Sequence, residues 1–475
     1  MLESLMKPGR LDDATRVASK IQNDQEIISE TLIDNIFINH NMHYQSGIIE
    51  SNDEGKKNKV NLPIEVNSII DDLKNNGAFR RKVTFRTIKL NANFVSHTIY
   101  LATINTIEEF YSISNFTCDY YSILVVGGEM HRTGRNEKGQ LGQGDCDEYK
   151  GPQLVEFLED YTIVKAAVGR NHTLFLTDRG TVYACGDNKA GQCGVGNNTA
   201  VINTPCKINF KDKVEAISAG GEFSMLIDSK GALYSFGCPE YGQLGHNTDG
   251  KFFITANKLG FHNENSPRKV PLFVERSKDS QPTPVTDVQI AQVACGNNHT
   301  CVVDTKGRCF TWGFGGYGRL GHAEQKDEMI PRLIKFFDGP KREVKKIWCG
   351  ASYTVAHSNL GFFMWGQTKR TGEANMYPKP IQDLCGWDIR SVGCSATSIV
   401  VAADDSCIAW GPSPTYGELG LGENKKSSTA LQEVKALDGA HLSMVACGMG
   451  HTLYICRDST DEDKAIIGKL KELNL

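Results

Sequence analysis

Three histidine–threonine pairs are the first residues of this chain whose types could support catalysis or bind a metal. They are His172-Thr173, His299-Thr300 and His451-Thr452, and histidine serves proteins both as a general base and as a metal ligand. Either role requires side chains that converge on one point. The corresponding slots hold Phe223-Ser224 and Tyr353-Thr354 elsewhere in the chain. This recurrence favours a structural role, in which each hydroxyl satisfies strand backbone and each ring packs between repeated units.

Glycine-rich stretches are the second candidate, because a glycine-rich loop can hold a phosphate. The stretch "SFGCPEYGQLGHNTDGKF" is an example, at Ser235–Phe252. A nucleotide-binding loop also requires a Lys-Ser or Lys-Thr pair and then a helix, and neither pattern follows any of these stretches. Spacing suggests no Ser-His-Asp or Cys-His set, and there is no H-E-x-x-H or EF-hand pattern. The sequence therefore predicts no covalent catalysis, no bound metal and no cofactor.

The glycine-rich stretch recurs along the chain. Copies begin at Gly134, Gly186, Gly237, Gly313 and Gly411, and a degraded copy, "GQTKRTG", begins at Gly366. The successive steps are 52, 51, 76, 53 and 45 residues. A period of about 50 residues with a glycine-rich turn in every copy is typical of a propeller blade or a solenoid unit. We interpret the glycines as turn and close-packing residues. Gly245 and Gly321, late in two copies, are expected where the backbone needs a positive φ or has no room for a Cβ.

Each glycine-rich turn follows two short runs rich in β-branched and aromatic residues. A P-x-x-[VI] landmark follows most of the turns, for example at Pro331–Ile334. Each unit therefore predicts about four short strands without helical periodicity. Trp312, Trp365 and Trp410 stand just before turn glycines and are expected in the core between units. Closing such units in a ring leaves few exposed sheet edges, which favours a propeller over an open stack.

The turns, the G-x-x-H-T slots and the repeat period resemble the regulator of chromosome condensation family. The blocks "SFGCPEYGQLGHNTDGKF", "WGFGGYGRLGHAEQKDEMIPRLIKFFD", "MYPKPIQDLCGW" and "WGPSPTYGELG" carry the resemblance, which covers roughly residues 115 to 460. The longer blocks narrow it to one branch of that family. The resemblance implies an all-β fold, a seven-bladed β-propeller whose first blade is degenerate in this chain.

The N-terminal region departs from that family, which has a basic tail before a glycine-bearing first blade. This chain opens with "MLESLMKPGRLDDATRVASKIQNDQEIISETLIDNIF", which is acidic on balance and patterned like a helix. We therefore expect a helical or disordered extension at 1–80, the propeller at 81–460 and a C-terminal tail at 461–475. The repeats end in half a unit, Ser443–Asp458, whose free edge requires a partner strand. The best upstream β pattern predicts that Lys82–Leu90 lies beside it.

Composition and charge exclude several classes of protein. The chain has 475 residues, of which 40% are hydrophobic and 23% charged, so most of it should fold. A net charge of −4 argues against a protein whose whole surface binds nucleic acid. No apolar run approaches the ~18 residues of a membrane span. The 15 cysteines form no C-x-x-C pair, and without a secretory signal pattern they indicate a reducing, intracellular compartment.

Three segments are candidates for partner binding, each against the plain alternative of a solvated surface loop. The 76-residue step contains two insertions, near 246–266 and 271–287, and the second predicts a projecting hairpin with a polar tip. Loops on a rigid ring are where repeat folds place binding residues. The second candidate segment is a charged loop at His322–Pro331. The third is the densest basic cluster of the propeller, which follows that loop in the chain. The candidate residues are Lys278 and Asp279 in the second insertion; His322, Glu324, Lys326 and Asp327 in the loop; and Lys341, Arg342, Lys345 and Lys346 in the cluster.

The resemblance implies a guanine nucleotide exchange factor or regulator of a Ras-superfamily small GTPase, at most an enzyme without covalent catalysis. It further implies roles in mitosis, chromosome segregation and cytoskeletal regulation. The expected locations are the nucleus, chromosomes and centromere, the spindle and midbody in mitosis, and the cytoplasm. We expect a monomer. The alternative is a scaffold that binds chromatin or spindle microtubules without exchange activity.

Overall fold

The computed structural model describes residues 84–87, 100–104, 112–114, 121–126 and 129–472, apart from gaps at 159–160, 277–280, 370–371, 413, 415–416, 423–424, 449 and 458–459. The chain divides into two compact units, residues 1–82 and 83–475, and every described residue belongs to the second. The expected N-terminal extension at 1–80 lies outside the described residues.

Six units of four strands follow one another along the described chain, and we number them blades 1 to 6. Their strands are Ser112–Ser114, Tyr121–Val126, Glu129–Gly134 and Tyr149–Leu154 in blade 1; Ile163–Val168, His172–Thr177, Val182–Asp187 and Val201–Lys207 in blade 2; Val214–Ala219, Phe223–Asp228, Leu233–Gly237 and Glu264–Lys269 in blade 3; Ile290–Cys295, His299–Asp304, Cys309–Gly313 and Glu328–Leu333 in blade 4; Val344–Cys349, Tyr353–Ser358, Gly361–Gly366 and Asn375–Pro380 in blade 5; and Ile389–Cys394, Ile399–Ala403, Ser406–Gly411 and Ser428–Glu433 in blade 6.

Within each blade the four strands pair in chain order and antiparallel. The second strands of blades 2, 3 and 4 are buried along their whole length, because each blade is covered on both faces by its neighbours. The two insertions form short strands of their own. The first makes a separate hairpin, Lys251–Thr255 with Lys258–Phe261, and the second adds Val274–Glu275 and Thr283–Pro284 to the outer edge of blade 4.

Blade 7 combines both ends of the chain. Leu442–Cys447 pairs with Thr452–Arg457, and Tyr100–Ile104 then pairs in parallel with Thr452–Arg457. Thr84–Thr87 lies one strand further out, beside Tyr100–Ile104 and the short strand Lys471–Glu472. An N-terminal segment therefore completes the final half unit. The N-terminal strand that pairs with Thr452–Arg457 is Tyr100–Ile104, and not the Lys82–Leu90 segment that the sequence suggested.

The first strands of the blades line up around a ring. Each contacts the first strand of the next blade, and the first strand of blade 7 contacts that of blade 1. The predicted all-β, seven-bladed propeller is thus confirmed. Trp312 and Trp365 are fully buried and Trp410 is 7% exposed, so the expected tryptophan positions in the core are also confirmed.

Hydroxyl groups tie blades 2 to 5 and blade 7 to the turn of the blade before each of them. Each donates from the start of a second strand to a carbonyl oxygen in the preceding turn, which buries the turn against the next blade. The pairs are Thr173 with Gln140 (2.7 Å), Ser224 with Gln192 (2.8 Å), Thr300 with Gln243 (3.2 Å), Thr354 with Arg319 (3.2 Å) and Thr452 with Glu418 (2.6 Å).

Two histidines extend this pattern around the ring. His172 Nε2 lies 2.9 Å from Ser224 Oγ, and His299 Nε2 lies 3.0 Å from Thr354 Oγ1, each in the following blade. Since both hydroxyls donate to turn carbonyls, the Nε2 atoms must carry the protons. Among the described residues no group of three or more His, Cys, Asp or Glu side chains could hold a metal ion. The His-Thr slots are therefore structural links between blades.

The slot changes after the degraded turn of blade 5. In blade 6, Ile399 pairs with Cys394 as Thr354 pairs with Cys349 in blade 5, so Ile399 occupies the hydroxyl position. An apolar side chain thus replaces the hydroxyl where the preceding turn is degraded. The preceding residue, Ser398, is fully buried, and its Oγ has no hydrogen-bond partner among the described residues.

Two turn glycines pack against buried tryptophans of the next blade. Gly245 has φ +77°, and a Cβ built there would lie 2.9 Å from Trp312 Nε1. Gly321 has φ +75°, and its Cβ would lie 2.9 Å from Trp365 Nε1. Both positions combine a left-handed backbone with a space too small for a methyl group.

Among the described residues one α-helix, α1, covers Asp461–Ile467 and packs on blade 7. The Thr460 hydroxyl accepts from the Asp463 backbone N–H and caps its start. Asp463 also accepts from Arg457 Nε at 2.7 Å, and Ile467 joins the core between blades 6 and 7. Single 3-10 turns occur at Glu156–Leu158, Gly316–Gly318, Lys335–Phe337, Gln382–Leu384 and Lys435–Leu437. No helix in the described part of the chain is long and apolar enough to cross a membrane.

Candidate interaction surface

The ring has two faces, and strand direction assigns each loop to one of them. Because neighbouring strands in a blade are antiparallel, every connection from a third to a fourth strand lies on the same face, which we call the turn face. The glycine-rich turns lie there. Linkers from a fourth strand to the next blade lie on the opposite face, which we call the linker face.

A hairpin with exposed apolar side chains projects from the turn face at blade 3. We call residues 251–261 the apolar hairpin. Its strands pair with each other and with no other described strand. Phe252, Phe253, Ile254 and Leu259 are 37%, 75%, 51% and 49% exposed. A cluster of large exposed apolar side chains is typical of an interaction site, because water disfavours such a surface.

The base of the apolar hairpin is fixed to the ring. Lys251 pairs with Asp249 at 3.0 Å, and the His262 backbone N–H donates to the Gly250 carbonyl at 2.8 Å. The Asn247 backbone N–H donates to the Met329 carbonyl of blade 4 at 2.9 Å. The hairpin therefore starts from a defined position between blades 3 and 4, beside the charged loop.

The charged loop of blade 4 also lies on the turn face, and most of its candidate residues hold the loop in place. His322 Nε2 lies 3.0 Å from Thr311 Oγ1, and burial together with the nearby Arg332 charge lowers the pKa of His322 to about 3. Asp327 accepts from the Gly315 backbone N–H at 2.8 Å. Glu324 bonds to Arg332, which lowers the pKa of Glu324. Lys326 is exposed to solvent.

The second insertion packs along the edge of blade 4. Arg276 Nη1 lies 3.3 Å from Glu328, and Arg332 Nη1 lies 2.8 Å from the same carboxylate, which is buried. Glu275 accepts from Lys335 at 2.6 Å. The ion pairs of Arg276 with Glu328 and of Glu275 with Lys335 hold the start of the insertion against the sheet. Its candidate tip residues, Lys278 and Asp279, lie outside the described residues.

An aromatic and arginine cluster lies in the same turn region and was not singled out from the sequence. The rings of Tyr241 and Phe314 are 4.8 Å apart, and Arg319 Cζ lies 4.6 Å from the Phe314 ring and 5.6 Å from the Tyr317 ring. Tyr317 is 49% exposed and has φ +62°, which is unusual for a residue with a side chain. The signal was present in "GGYGRLG", the copy in which arginine replaces the glutamine of "YGQLG".

The basic cluster lies on the linker face. Lys341, Arg342, Lys345 and Lys346 are all exposed, just before or at the start of the first strand of blade 5. Arg342 Nη1 donates to the Phe336 carbonyl at 3.2 Å. The structure therefore brings the apolar hairpin and the charged loop together and separates the basic cluster from them.

Comparison with known proteins agrees with this architecture. Residues 118–454 match the family model of the RCC1-like domain. The solved structure of Prp20p from Saccharomyces cerevisiae is similar, with a TM-score of 0.51 and 19% identity, covering 77% of this chain and 98% of that chain. The fold and the repeats thus define a propeller protein of the RCC1-like class.

Sequence similarity to individual relatives identifies the family within this class. The chain is 53% identical over 362 residues to Protein RCC2 of Homo sapiens, which covers 75% of this chain and 69% of the relative. It is 53% identical over 361 residues to the Protein RCC2 homolog of Danio rerio, covering 75% of this chain and 73% of the relative. The chain belongs to the RCC2 family, as the longer sequence blocks indicated.

Proposed function

We propose that this protein binds a Ras-superfamily small GTPase through the turn face and promotes or regulates its nucleotide exchange. The observation that carries the proposal is the apolar hairpin, which projects beside a charged loop from a rigid ring of the RCC2 family. Prp20p, which shares the fold, has been studied for its binding to Gsp1p and histones. We further propose roles in mitosis, chromosome segregation and cytoskeletal regulation, at chromosomes, centromere, spindle and midbody as well as in nucleus and cytoplasm.

Exchange needs no nucleophile and no cofactor of its own. A factor must bind the nucleotide-free GTPase better than the loaded form, and by linkage the nucleotide then binds the complex more weakly. A GTPase that holds nucleotide at about picomolar affinity has roughly −16 kcal/mol to be overcome. A wide, rigid surface with a projecting element suits this task, because little ordering entropy opposes binding.

The residues of the turn face divide into two roles. Phe253 and Leu259 can bury apolar surface in a partner pocket, and such side chains dominate interface energies when they become fully desolvated. Lys326 and Tyr317 are exposed close by and can contact the polar rim of the partner. His322, Glu324 and Asp327 position the loop through the bonds described above. Lys278 and Asp279 remain candidates for the same interaction.

Release of a fluorescent GDP analogue from purified GTPases tests the proposal. The panel should cover the Ras, Rho, Ran and Ral groups, each with and without the full chain. Phe253→Ser should weaken binding of the responsive GTPase by about 2 kcal/mol, roughly 30-fold, because the most exposed apolar side chain is removed. Tyr377→Ser is the matched control, since Tyr377 is 62% exposed on blade 5.

The outcomes separate cleanly. Accelerated release that Phe253→Ser reduces and Tyr377→Ser leaves intact supports the proposal. Acceleration that both variants retain would move the binding site off the apolar hairpin. Release that stays at the intrinsic rate for every GTPase would contradict the proposed exchange activity.

The second candidate function is a scaffold that binds chromatin or spindle microtubules. The basic cluster favours it, because four exposed cations on the linker face suit a polyanionic surface. Replacing Lys341, Arg342, Lys345 and Lys346 with glutamate should abolish binding to duplex DNA or microtubules. Each lost phosphate contact should also reduce the salt dependence of DNA binding by about 0.9 in log–log slope. If binding and its salt dependence stayed unchanged, the basic cluster would be excluded as the polyanion-binding site.

A further inference from the structure

The first strands of blades 2 to 7 surround a cavity on the ring axis. Its volume is about 350 Å³. Most of its described lining is small or apolar, such as Ala216, Val293 and Met444, with the hydroxyls of Ser218 and Ser391 and the Gln292 amide among them.

Lys165 is the only charged residue among the described residues that line this cavity. It forms no hydrogen bond and no ion pair with any residue that the structure describes. Lys165 is half-buried and belongs to the cavity lining. Its equivalents in the first strands of blades 3 to 7 are Ala216, Gln292, Lys346, Ser391 and Met444, as their pairing with the second strands shows. Of these, Lys346 is exposed and belongs to the basic cluster rather than to the described lining of the cavity.

Among the described residues, no negatively charged group acts on Lys165. The ionisable group that does act on it is the Cys295 thiol, and burial raises the pKa of Cys295 to about 12, so this thiol is neutral at physiological pH. Burial also lowers the pKa of Lys165. An ammonium enclosed by protein without a counter-ion is costly, so buried charges in proteins are normally paired.

The other polar groups are largely committed. Gln292 Nε2 donates to the Lys345 carbonyl at 2.9 Å. The Ser391 hydroxyl accepts from the Val445 backbone N–H at 3.1 Å. The Ser218 hydroxyl also lines the cavity, from the first strand of the neighbouring blade. Lys165 is therefore the charged group of the cavity lining for which the described residues provide no partner.

We propose that the axial cavity binds one compact anion, a phosphate or a carboxylate, on the Lys165 ammonium. The volume lies at the small end of the range for ligand pockets, about 300–1,000 Å³, and suits inorganic phosphate or acetate. The same chemistry can come from a free ion or from an acidic side chain of a partner that reaches into the ring. This site is independent of the proposed GTPase surface.

Titration of the full chain with inorganic phosphate at constant ionic strength tests the site, by calorimetry and by melting temperature. The wild-type chain should bind one phosphate and melt at a higher temperature as the site fills. Lys165→Met should bind at least tenfold more weakly and, without phosphate, melt no lower than the wild type, because it removes a half-buried charge that has no partner among the described residues. Lys306→Met is the matched control, since Lys306 is exposed at the tip of a blade 4 hairpin.

Acetate and a short peptide rich in glutamate form two further arms. Saturable binding of phosphate or acetate identifies a free ion as the ligand, and binding of the peptide alone identifies a partner's carboxylate. Absence of saturable binding in all three arms would overturn the proposal. Binding that Lys165→Met retains within twofold would also overturn it, since the anion would then bind elsewhere.

A measurement on the wild-type chain covers the case in which Lys165→Met does not fold. Amine-reactive labelling followed by mass spectrometry reports the accessibility of individual lysines. A saturating concentration of the bound anion should slow modification of Lys165 at least fivefold and leave Lys306 unchanged. Equal slowing at both lysines, or none at Lys165, would contradict the proposed site.

Discussion

Two buried serines with opposite hydrogen bonding provide a sharp test of how the blades are held together. Ser224 and Ser398 are both fully buried. The Ser224 hydroxyl donates to the Gln192 carbonyl at 2.8 Å and accepts from His172 Nε2 at 2.9 Å, so it joins the second strand of blade 3 to both the turn and the second strand of blade 2. The Ser398 hydroxyl has no hydrogen-bond partner in the part of the chain that the structure describes. Alanine at each position removes the same oxygen atom from very different surroundings.

The expected free-energy changes follow from these contacts. Ser224→Ala loses two buried hydrogen bonds, each worth about 1 kcal/mol net, and removes the partner of a buried N–H and of a buried carbonyl. We expect it to lower the free energy of unfolding by about 2–4 kcal/mol. Ser398→Ala removes a hydroxyl that was already without a partner, so we expect a change within about 0.5 kcal/mol or a slight stabilisation.

Urea-induced unfolding and thermal melting of the two variants beside the wild type measure the difference. Ser224→Ala should melt several degrees lower, and Ser398→Ala should melt at or above the wild-type temperature. Equal losses in the two variants would refute the reasoning, because the cost would then come from the removed volume and not from the bonds between blades. A neutral Ser224→Ala would show that these links contribute little to the ring.

Two further changes test the packing of the turns and of the buried histidines. Gly245→Ala should cost about 1–2 kcal/mol of stability for its positive φ, and more for the contact with Trp312. Gly386 has φ +88°, and a Cβ built there would meet no described atom within 4 Å beyond its chain neighbours, so Gly386→Ala should show the backbone cost alone. Equal melting temperatures for the two variants would contradict the close contact at Gly245. Burial lowers the pKa of His172 and of His322 to about 3, far below the ~6.5 of an unfolded chain. The unfolded chain therefore binds more protons, so stability is greatest above pH 6.5 and falls as the pH decreases toward 3, by up to about 1.4 kcal/mol per pH unit for each histidine. His322→Gln should flatten the slope measured between pH 6 and 5, and an unchanged slope would show that His322 does not contribute.

The repeat was readable from the sequence because its determinants are local. A turn that needs positive φ, or that packs against a tryptophan, requires glycine in every copy, and so the spacing of Gly186, Gly237 and Gly313 reports the blade length directly. The structural role of the His-Thr slots could be inferred in the same way, since equivalent positions on a ring do not converge. Their partners could not be inferred, because the bond from Thr300 to Gln243 joins residues in different blades.

The closing strand was misplaced because its pairing is not local. Tyr100–Ile104 carries no turn glycine, and it pairs with Thr452–Arg457 from the other end of the chain. The pattern in Lys82–Leu90 did identify a strand of the same sheet, Thr84–Thr87. Which strand lies innermost depends on the path of the chain between them, and a residue pattern does not encode that path.

The two insertions show the same limit at the candidate surface. Their lengths could be read from the repeat spacing, but the polar tip of the second insertion indicated a binding segment there and not in the first. The ion pair from Arg276 to Glu328 holds the second insertion against blade 4, and no spacing rule predicts a contact across 52 residues of sequence. The first insertion lacks such a partner sheet, so its apolar side chains stay exposed on the turn face.

Strand direction gives the two proposed functions separate surfaces. The apolar hairpin and the charged loop leave blades 3 and 4 after their third strands, whereas the basic cluster precedes the first strand of blade 5, so they lie on opposite faces of the ring. A GTPase on the turn face and a polyanion on the linker face would therefore not compete sterically. Any coupling between them would have to pass through the blades, where hydroxyl bonds link blades 1 to 5 in order and blade 6 to blade 7. The close packing of those links makes the ring rigid, which favours independent binding at the two faces.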